Sequence, residues 1–200
     1  MRELVAFLGV SALVIVTPGQ DTALTIRNTL LGGRVAGVFT AVGVSTGQAT
    51  WTVATSVGVG ALLVASERAF FALKLVGGAY LVFLGVQAIL HRGKTLPVAL
   101  GGGRVTSRTA VRQGALSNLG NPKMLAFFTS LLPQFASSFA GLLVLGLVFC
   151  TMTLVWLSVY SVVVTKAGAL LRRGRVHRAI ELVTGTVLVA LGLRLATERQ

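Results

Sequence analysis

The stretch Thr17-Pro18-Gly19-Gln20-Asp21 interrupts a long apolar run near the start of the chain. Apolar residues precede it from Leu4 to Val16, and mostly apolar sequence follows it. Proline has no backbone N–H, so a helix ends or kinks at Pro18. The ionisable side chain of Asp21 lies within one turn of this break. In membrane proteins, broken helices of this kind present backbone groups and charges to a substrate.

Composition indicates that this break lies in a membrane rather than in a soluble core. Of the 200 residues, 54% are hydrophobic and only 12% are charged, and the mean hydropathy is +0.84. Soluble domains carry about 25% charged residues. Because the deficit extends along the whole chain, we predict an all-α polytopic membrane protein. This length accommodates about six spans of roughly 20 residues each.

The apolar segments predict six transmembrane helices in a single polytopic membrane domain, residues 1–200. We place the helices at residues 4–31, 38–65, 69–90, 110–132, 139–165 and 179–196. Helix 1 is broken at Pro18 and helix 4 at Asn121-Pro122. The first half covers residues 1–91, a cytoplasmic linker covers residues 92–110, and the second half covers residues 111–200. No small-residue cleavage site precedes Pro18, so we expect the first segment to be retained as a span.

The net charge of +13 reflects basic residues that cluster between the apolar segments. Aromatic residues do not interleave with them, which argues against a nucleic-acid partner. Most of these charges follow spans 1, 3 and 5. The positive-inside rule therefore predicts that these loops are cytoplasmic and that both termini lie outside.

Two halves of the sequence resemble each other. Residues 78–85 and 185–192 both read G-x-x-L-x-x-L-G, at the ends of the third and sixth spans. The broken helices 1 and 4 also take corresponding places, because each opens its half. Since each half holds three spans, the halves insert with opposite topology. Such inverted three-helix repeats with broken helices are typical of secondary transporters, whose site lies near the membrane midplane.

Two charged residues are predicted at mid-depth, Asp21 in span 1 and Lys123 in span 4. A charge at the bilayer centre costs about 2.5–3.5 kcal/mol or more, so it faces a cavity or a partner. In one interpretation the two residues form a structural ion pair. In the other, Asp21 binds a substrate ammonium or carries a proton, and Lys123 or a helix N-terminus meets the substrate carboxylate. The two interpretations are compatible.

The second span is rich in small and polar residues. Gly43 and Gly47 have the spacing that lets helices approach closely, and we expect them to pack within the bundle. Gln48 is a candidate for a cavity-facing position. The single cysteine, Cys150, excludes an intramolecular disulfide and a thiol relay.

These residues resemble the LysE/RhtB family of amino-acid exporters over essentially the whole chain. The first break is similar to the family signature P-G-P-[ND], with Gln20 in place of the second proline. Asn121-Pro122-Lys123, Phe127-Phe128 and Pro133-Gln134-Phe135 are similar to its signature N-P-K…FF…PQF. Residues 77–85 are similar to its third-span pattern.

The resemblance implies efflux of amino acids or close derivatives across the bacterial inner membrane by proton antiport, with no enzyme activity, no cofactor and no metal. A homo-oligomer is left open. We predict that Asp21 couples protons and that the substrate site comprises Pro18, Gly19, Gln20, Asp21, Gln48, Asn118, Asn121, Pro122 and Lys123. The alternatives are an exporter of another small solute or cation and a passive channel or scaffold of the same architecture.

Overall fold

The computed structural model describes residues 2–65 and 105–171, together with the single residues Leu75, Ala79, Phe83, Val86 and Thr186. Within the described residues the chain is helical and contains no strand. The predictions for the third and sixth spans, and for the repeated Gly/Leu motif at their ends, concern residues that lie almost wholly outside these ranges.

The described helices follow the predicted apolar segments. They are α1 (Arg2–Val16), α2 (Gln20–Ala65), α3 (Ser107–Leu119), α4 (Pro122–Ala126) and α5 (Phe139–Leu171). A π-helical turn (Phe127–Leu131) and a 3-10 turn (Leu132–Gln134) lie between α4 and α5. Both predicted breaks are present, one between α1 and α2 and one between α3 and α4.

Helix α2 reverses direction at Gly33, whose φ of 74° lies in the left-handed region that glycine adopts without strain. The side chains of Asn28 and Thr40 form a hydrogen bond of 3.0 Å across the reversal. In a straight helix these residues would be about 18 Å apart, at 1.5 Å per residue. Helix α2 therefore consists of a short arm (residues 20–32) and a long arm (residues 34–65) that fold back on each other. The reversal lies between the helices predicted at residues 4–31 and 38–65.

Glycines allow the long arm of α2 to pack directly against α3. A Cβ atom built on Gly43 would lie 2.1 Å from the carbonyl oxygen of Val111, and one built on Gly114 would lie 2.3 Å from that of Thr40. A Cβ on Gly47 would lie 2.9 Å from the Cβ of Asn118. The predicted packing role of Gly43 and Gly47 within the bundle is confirmed. Because α3 ends just before the second break, this close packing against α2 places the second break near the first.

Helix α5 packs on the other side of α2 through small residues. A Cβ on Gly146 would meet the Thr52 side chain at 2.3 Å, and Thr52 Oγ1 lies 3.8 Å from the buried Sγ atom of Cys150. Ser45 Oγ donates to the carbonyl oxygen of Cys150 at 3.3 Å. The single thiol is thus enclosed in the interface between α2 and α5.

An aromatic cluster forms the largest apolar core. The rings of Phe127 and Phe149 stack with centroids 4.1 Å apart, and Phe128 meets Phe149 edge-on at 5.6 Å. The π-helical turn that carries Phe127 and Phe128 ends just before the 3-10 turn that contains Pro133. Proline removes an N–H and clashes with the carbonyl four residues earlier, and widened turns accommodate such a disruption. The predicted end of span 4 near residues 133–135 agrees with this change in helix type.

Two described helical segments are long and apolar enough to cross a membrane, Gln20–Gly58 in α2 and Phe139–Lys166 in α5. Because Gly33 reverses α2, the part of the first segment that continues without a reversal belongs to the long arm. Many large apolar side chains of α5 are exposed among the described residues, including Val144, Leu147, Val155 and Val159. Such a helix is compatible with contact to lipid.

Candidate functional site

The two breaks meet at the carboxylate of Asp21, which is buried in the first turn of α2. Ser117 Oγ donates to Asp21 Oδ1 at 2.8 Å. Asn118 Nδ2 and Asn121 Nδ2 donate to Asp21 Oδ2 at 2.8 and 2.9 Å. A carboxylate at a helix N-terminus is also stabilised by the helix dipole. Neutral donors from the end of α3 and the second break therefore hold a negative charge at the first break.

The amide of Asn121 fixes the geometry of the second break. Its Oδ1 atom accepts from the backbone N–H of Lys123 at 3.0 Å, which caps α4. Its Nδ2 atom is consequently turned toward Asp21. Pro122 is the first residue of α4 and is exposed, a position that suits proline because no N–H is needed there. The capping hydrogen bond thus orients the Nδ2 atom of Asn121 toward the carboxylate of Asp21.

Lys123 binds backbone carbonyls of the first break. Its Nζ atom donates to the carbonyl oxygens of Val14 and Thr17, both at 3.1 Å. In a continuous helix the Val14 carbonyl would accept from residue 18, but Pro18 has no N–H. The lysine therefore satisfies an acceptor that the proline leaves free. A Cβ on Gly19 would lie 3.4 Å from Nζ, so this position adjoins the ammonium.

The structure does not support a direct ion pair between Asp21 and Lys123. Both residues are described, and the contacts of each lead to other groups: the carboxylate to side-chain amides and a hydroxyl, the ammonium to backbone carbonyls. The physical reason is that the first break offers backbone carbonyl acceptors to the ammonium, whereas neutral side chains at the second break and at the end of α3 offer donors to the carboxylate. Each ionisable residue is instead bound by the other break.

The remaining predicted site residues lie around Asp21 and Lys123, at the junction of the two breaks. Gln20 is exposed, and its Nε2 donates to the carbonyl oxygen of Ser117 at 3.1 Å. Gln48 is buried on the long arm of α2, with its Nε2 3.6 Å from the sulfur of Met124. Since Met124 follows Lys123, Gln48 lies on the side of the second break. Pro18 and Gly19 form the first break itself.

Some buried polar atoms near these elements have no hydrogen-bond partner within the described residues. They are Ser11 Oγ, Gln48 Oε1, Trp51 Nε1 and Asn118 Oδ1. A buried polar atom without a partner costs about 1–3 kcal/mol, and each calls for an explanation. The orientation of Asn118 is fixed because its Nδ2 must face the carboxylate. Its Oδ1 is therefore an acceptor beside Asp21 that a ligand or water can fill.

Ser117 was missing from the predicted site, although it donates to Asp21. It directly precedes Asn118, and both belong to the last turn of α3. The available signal was the run of polar residues Ser117-Asn118 ahead of the second break.

A second buried polar cluster lies on the same α2–α3 interface. Asn28 Nδ2 donates to Thr40 Oγ1 and to Gln113 Oε1, both at 3.0 Å, and Arg27 donates to Asn28 Oδ1 at 3.3 Å. Asn28 is two helical turns beyond Asp21, and Gln113 is one turn before Ser117. No local pattern in the sequence identifies this cluster. One amide side chain here joins both arms of α2 to α3.

We expect Asn28→Ala to lower the free energy of unfolding by about 2 kcal/mol, because Gln113 Oε1 and Thr40 Oγ1 lose a donor inside the bundle. Thermal unfolding of the detergent-purified protein measures the change. Thr50→Ala is the matched control, since Thr50 is exposed and its hydroxyl donates to the carbonyl oxygen of Thr46 in its own helix. Equal melting temperatures for both variants would show that the cluster does not hold the arms together.

The architecture indicates the class of protein. Helices long enough to cross a membrane, together with two breaks that meet around a buried carboxylate, are typical of membrane transporters. The comparison with known proteins gives the family: the model of the LysE type translocator matches residues 12–199. The chain belongs to this family, whose members are transporters and not enzymes. The predicted family is thereby confirmed.

Similar proteins include transporters with named substrates. The chain is 29% identical over 202 residues to a homoserine/homoserine lactone efflux protein of Salmonella typhimurium, covering 97% of this chain and 96% of the relative. It is 27% identical over 122 residues to a leucine efflux protein of an Enterobacter species, covering 61% and 58%. An uncharacterized membrane protein of Bacillus subtilis, YrhP, is 27% identical over 207 residues, covering 97% and 98%. No solved structure gives a significant match.

Proposed function

We propose that the protein is a secondary active exporter of amino acids or close derivatives, in the bacterial inner membrane, driven by proton antiport. The observation that carries this proposal is the buried carboxylate of Asp21, held at a helix break by three neutral donors. A carboxylate in this setting binds either a proton or a substrate ammonium. Relatives named for the efflux of homoserine and of leucine support amino acids as the substrate class.

In this proposal, a proton and the ammonium group of the substrate compete for the carboxylate of Asp21 and so exchange there. The arriving ammonium of the amino acid displaces the proton, and a proton from the other side later displaces the ammonium. Asn118 Oδ1 and Gln48 Oε1, which lack partners among the described residues, accept from the ammonium. The substrate carboxylate meets Lys123, whose ammonium has a third N–H beyond the two bound to Val14 and Thr17, or the N–H groups that begin α2.

The proposed site thus keeps all the predicted residues and adds one. It comprises Pro18, Gly19, Gln20, Asp21, Gln48, Ser117, Asn118, Asn121, Pro122 and Lys123. Pro18, Gly19 and Pro122 act through the backbone by creating the breaks, and the others act through side chains.

We further propose that six spans form two inverted three-helix repeats, with both termini outside. The reciprocal contacts of the described breaks support this arrangement: Asp21 of the first break binds Asn118 and Asn121, and Lys123 of the second binds Val14 and Thr17. Paired breaks that meet in this way are expected when two repeats place corresponding broken helices around one midplane site.

The energetics of one-proton coupling are adequate. Moving one charge across 100 mV supplies about 2.3 kcal/mol. A tenfold concentration ratio costs about 1.4 kcal/mol. One proton per zwitterion therefore sustains a gradient of roughly tens-fold.

An efflux assay tests the proposal. Cells that lack their own exporters are loaded with dipeptides containing homoserine or leucine, and the amino acid is followed inside and outside with and without the protein. We expect export against a gradient that a protonophore abolishes. Export only down the gradient would indicate a passive channel. The same assay is then repeated with dipeptides of the other amino acids. No export of any of them, with the protein present in the membrane, would contradict the substrate class.

A further inference from the structure

The carboxyl end of α1 has the chemistry of a cation site. The carbonyl oxygens of Val14 and Thr17 converge on a single nitrogen, each at 3.1 Å. Val14 lacks its helical donor because residue 18 is proline, and Thr17 lies outside both helices. The end of a helix also carries a partial negative charge. In transporters with broken helices, such unwound carbonyls and helix ends coordinate small cations.

The occupant of this site is part of the protein. Lys123 extends from the first turn of α4, and its backbone is fixed there by the cap of Asn121 and by Pro122. Its ammonium reaches the first break across 106 positions of sequence from Thr17. Gly19 adjoins the ammonium closely, since a Cβ built there would lie 3.4 Å from Nζ. The lysine therefore enters a site whose oxygen ligands come entirely from the other break.

When Asp21 is ionised, the charge balance at the junction of the two breaks favours a cation at this position. Asp21 is buried and is bound only by neutral donors in the described structure. A buried negative charge without a nearby positive charge is costly in a low-dielectric medium. Lys123 supplies that positive charge from a neighbouring site without occupying the carboxylate. Asp21 consequently has no direct ion pair with Lys123 that an exchanging proton or ammonium would have to break.

We propose that the Val14–Thr17 carbonyl pair is a monovalent-cation site that the protein fills with Lys123. The lysine takes the place of a bound coupling cation, so transport is independent of Na⁺. When the lysine side chain is removed, a free ammonium ion can bind the same two carbonyl oxygens, because its N–H donors resemble those of the lysine ammonium. The inference about transport rests on the proposed export function, whereas the inference about cation binding does not.

Binding is tested on purified Lys123→Ala by thermal unfolding with methylammonium, which carries N–H donors, or with tetramethylammonium, which has the same charge but none. We expect methylammonium to raise the melting temperature of Lys123→Ala by about 3–6 °C at tenfold excess over its Kd. Tetramethylammonium is expected to have no such effect. Wild type and Lys166→Ala, which loses an exposed lysine of α5, are expected to respond to neither salt.

A second variant tests the ligands themselves. Pro18→Ala restores an N–H that binds the Val14 carbonyl, so in the Lys123→Ala background it removes one ligand of the cation. We expect the effect of methylammonium to shrink at least severalfold in the double variant. If Lys123→Ala fails to accumulate, its amount in membranes of cells grown with methylammonium is measured instead, and restoration supports the proposal.

The inference is overturned if methylammonium leaves Lys123→Ala unchanged in both melting temperature and membrane amount, or if tetramethylammonium acts equally. Transport is tested in membrane vesicles. Wild-type export is expected to be equal in Na⁺ buffer and in Na⁺-free buffer. Methylammonium is expected to restore part of the export lost in Lys123→Ala. A Na⁺ requirement in wild type would contradict the proposal. Absence of any wild-type export would refute the proposed function while leaving the unfolding result to decide cation binding.

Discussion

Asp21→Asn is expected to abolish concentrative export while the protein still reaches the membrane. Asparagine has nearly the same shape as aspartate but neither binds a proton in this pH range nor carries the negative charge that an ammonium requires. The oxygen of the new amide can still accept from Asn118 and Asn121, and its NH₂ group can donate to the hydroxyl of Ser117, which is both a donor and an acceptor. We therefore expect a loss of at least about 100-fold in export rate, which corresponds to about 2.7 kcal/mol.

The measurement is protonophore-sensitive efflux of homoserine or leucine across a range of external pH, with the membrane content of each variant determined in parallel. Glu3→Gln is the matched control, because it also neutralises a carboxylate but at an exposed position at the start of α1. Export by Asp21→Asn with the wild-type rate and pH dependence would exclude this carboxylate as the proton carrier.

Gly114→Ala is expected to destabilise the bundle by about 3 kcal/mol, the upper end for inserting one methyl group into a packed interface. The added Cβ would lie 2.3 Å from the carbonyl oxygen of Thr40 and 2.9 Å from the backbone nitrogen of Val44. Neither atom belongs to a flexible side chain, so α3 must move away from the long arm of α2. Since α3 also carries the donors to Asp21, export is expected to fall together with stability.

The same substitution elsewhere is expected to have the opposite sign. A Cβ on Gly9 in α1 meets no atom within 4 Å among the described residues, and alanine favours a helix interior by about 1 kcal/mol over glycine. Thermal unfolding of Gly9→Ala and Gly114→Ala, compared with wild type, separates packing from helix propensity. Equal or increased stability in Gly114→Ala would show that the two helices are not in the contact described.

The two breaks were predictable because their signals are local. A proline next to a glycine inside an apolar run, and an asparagine before a proline, disrupt a helix whatever surrounds them. The reversal at Gly33 was predictable for the same reason. Asp21 and Lys123 were predicted as charged residues at mid-depth, and Asn121 as part of the second break. The structure places all three at the junction of the breaks.

The partners of these residues were not predictable from the sequence. Which carbonyls Lys123 reaches depends on the packing of α4 against α1, and its contacts join residues more than 100 positions apart. An ion pair with Asp21 was the simplest electrostatic expectation, but the free carbonyls created by Pro18 and the neutral donors of α3 satisfy the two charges separately. Ser117 was missed for the same reason, because one hydroxyl among many polar residues of a helix carries no local signal.

The cluster around Asn28 shows a further limit of sequence reasoning. Asn28, Thr40 and Gln113 lie far apart along the chain and meet only because the arms of α2 fold together and pack on α3. Uncharged polar residues within apolar segments mark such positions, although they do not identify the partner. The six-span count and the repeat symmetry depend largely on the third and sixth spans, and they stay predictions.

The enclosed position of Cys150 makes the natural protein suitable for site-directed labelling. The chain has one cysteine, and its thiol is buried between α2 and α5 beside Thr52. Thiol reagents react with exposed thiolates, so this residue is expected to be silent toward maleimides in the folded protein. A cysteine introduced at an exposed position, such as Gln20 beside the first break, then reports solvent access there against an unmodified background. Changes in solvent access at the junction of the breaks during transport can then be measured as a labelling rate. Cys150 does not have to be replaced first, so the α2–α5 interface stays intact.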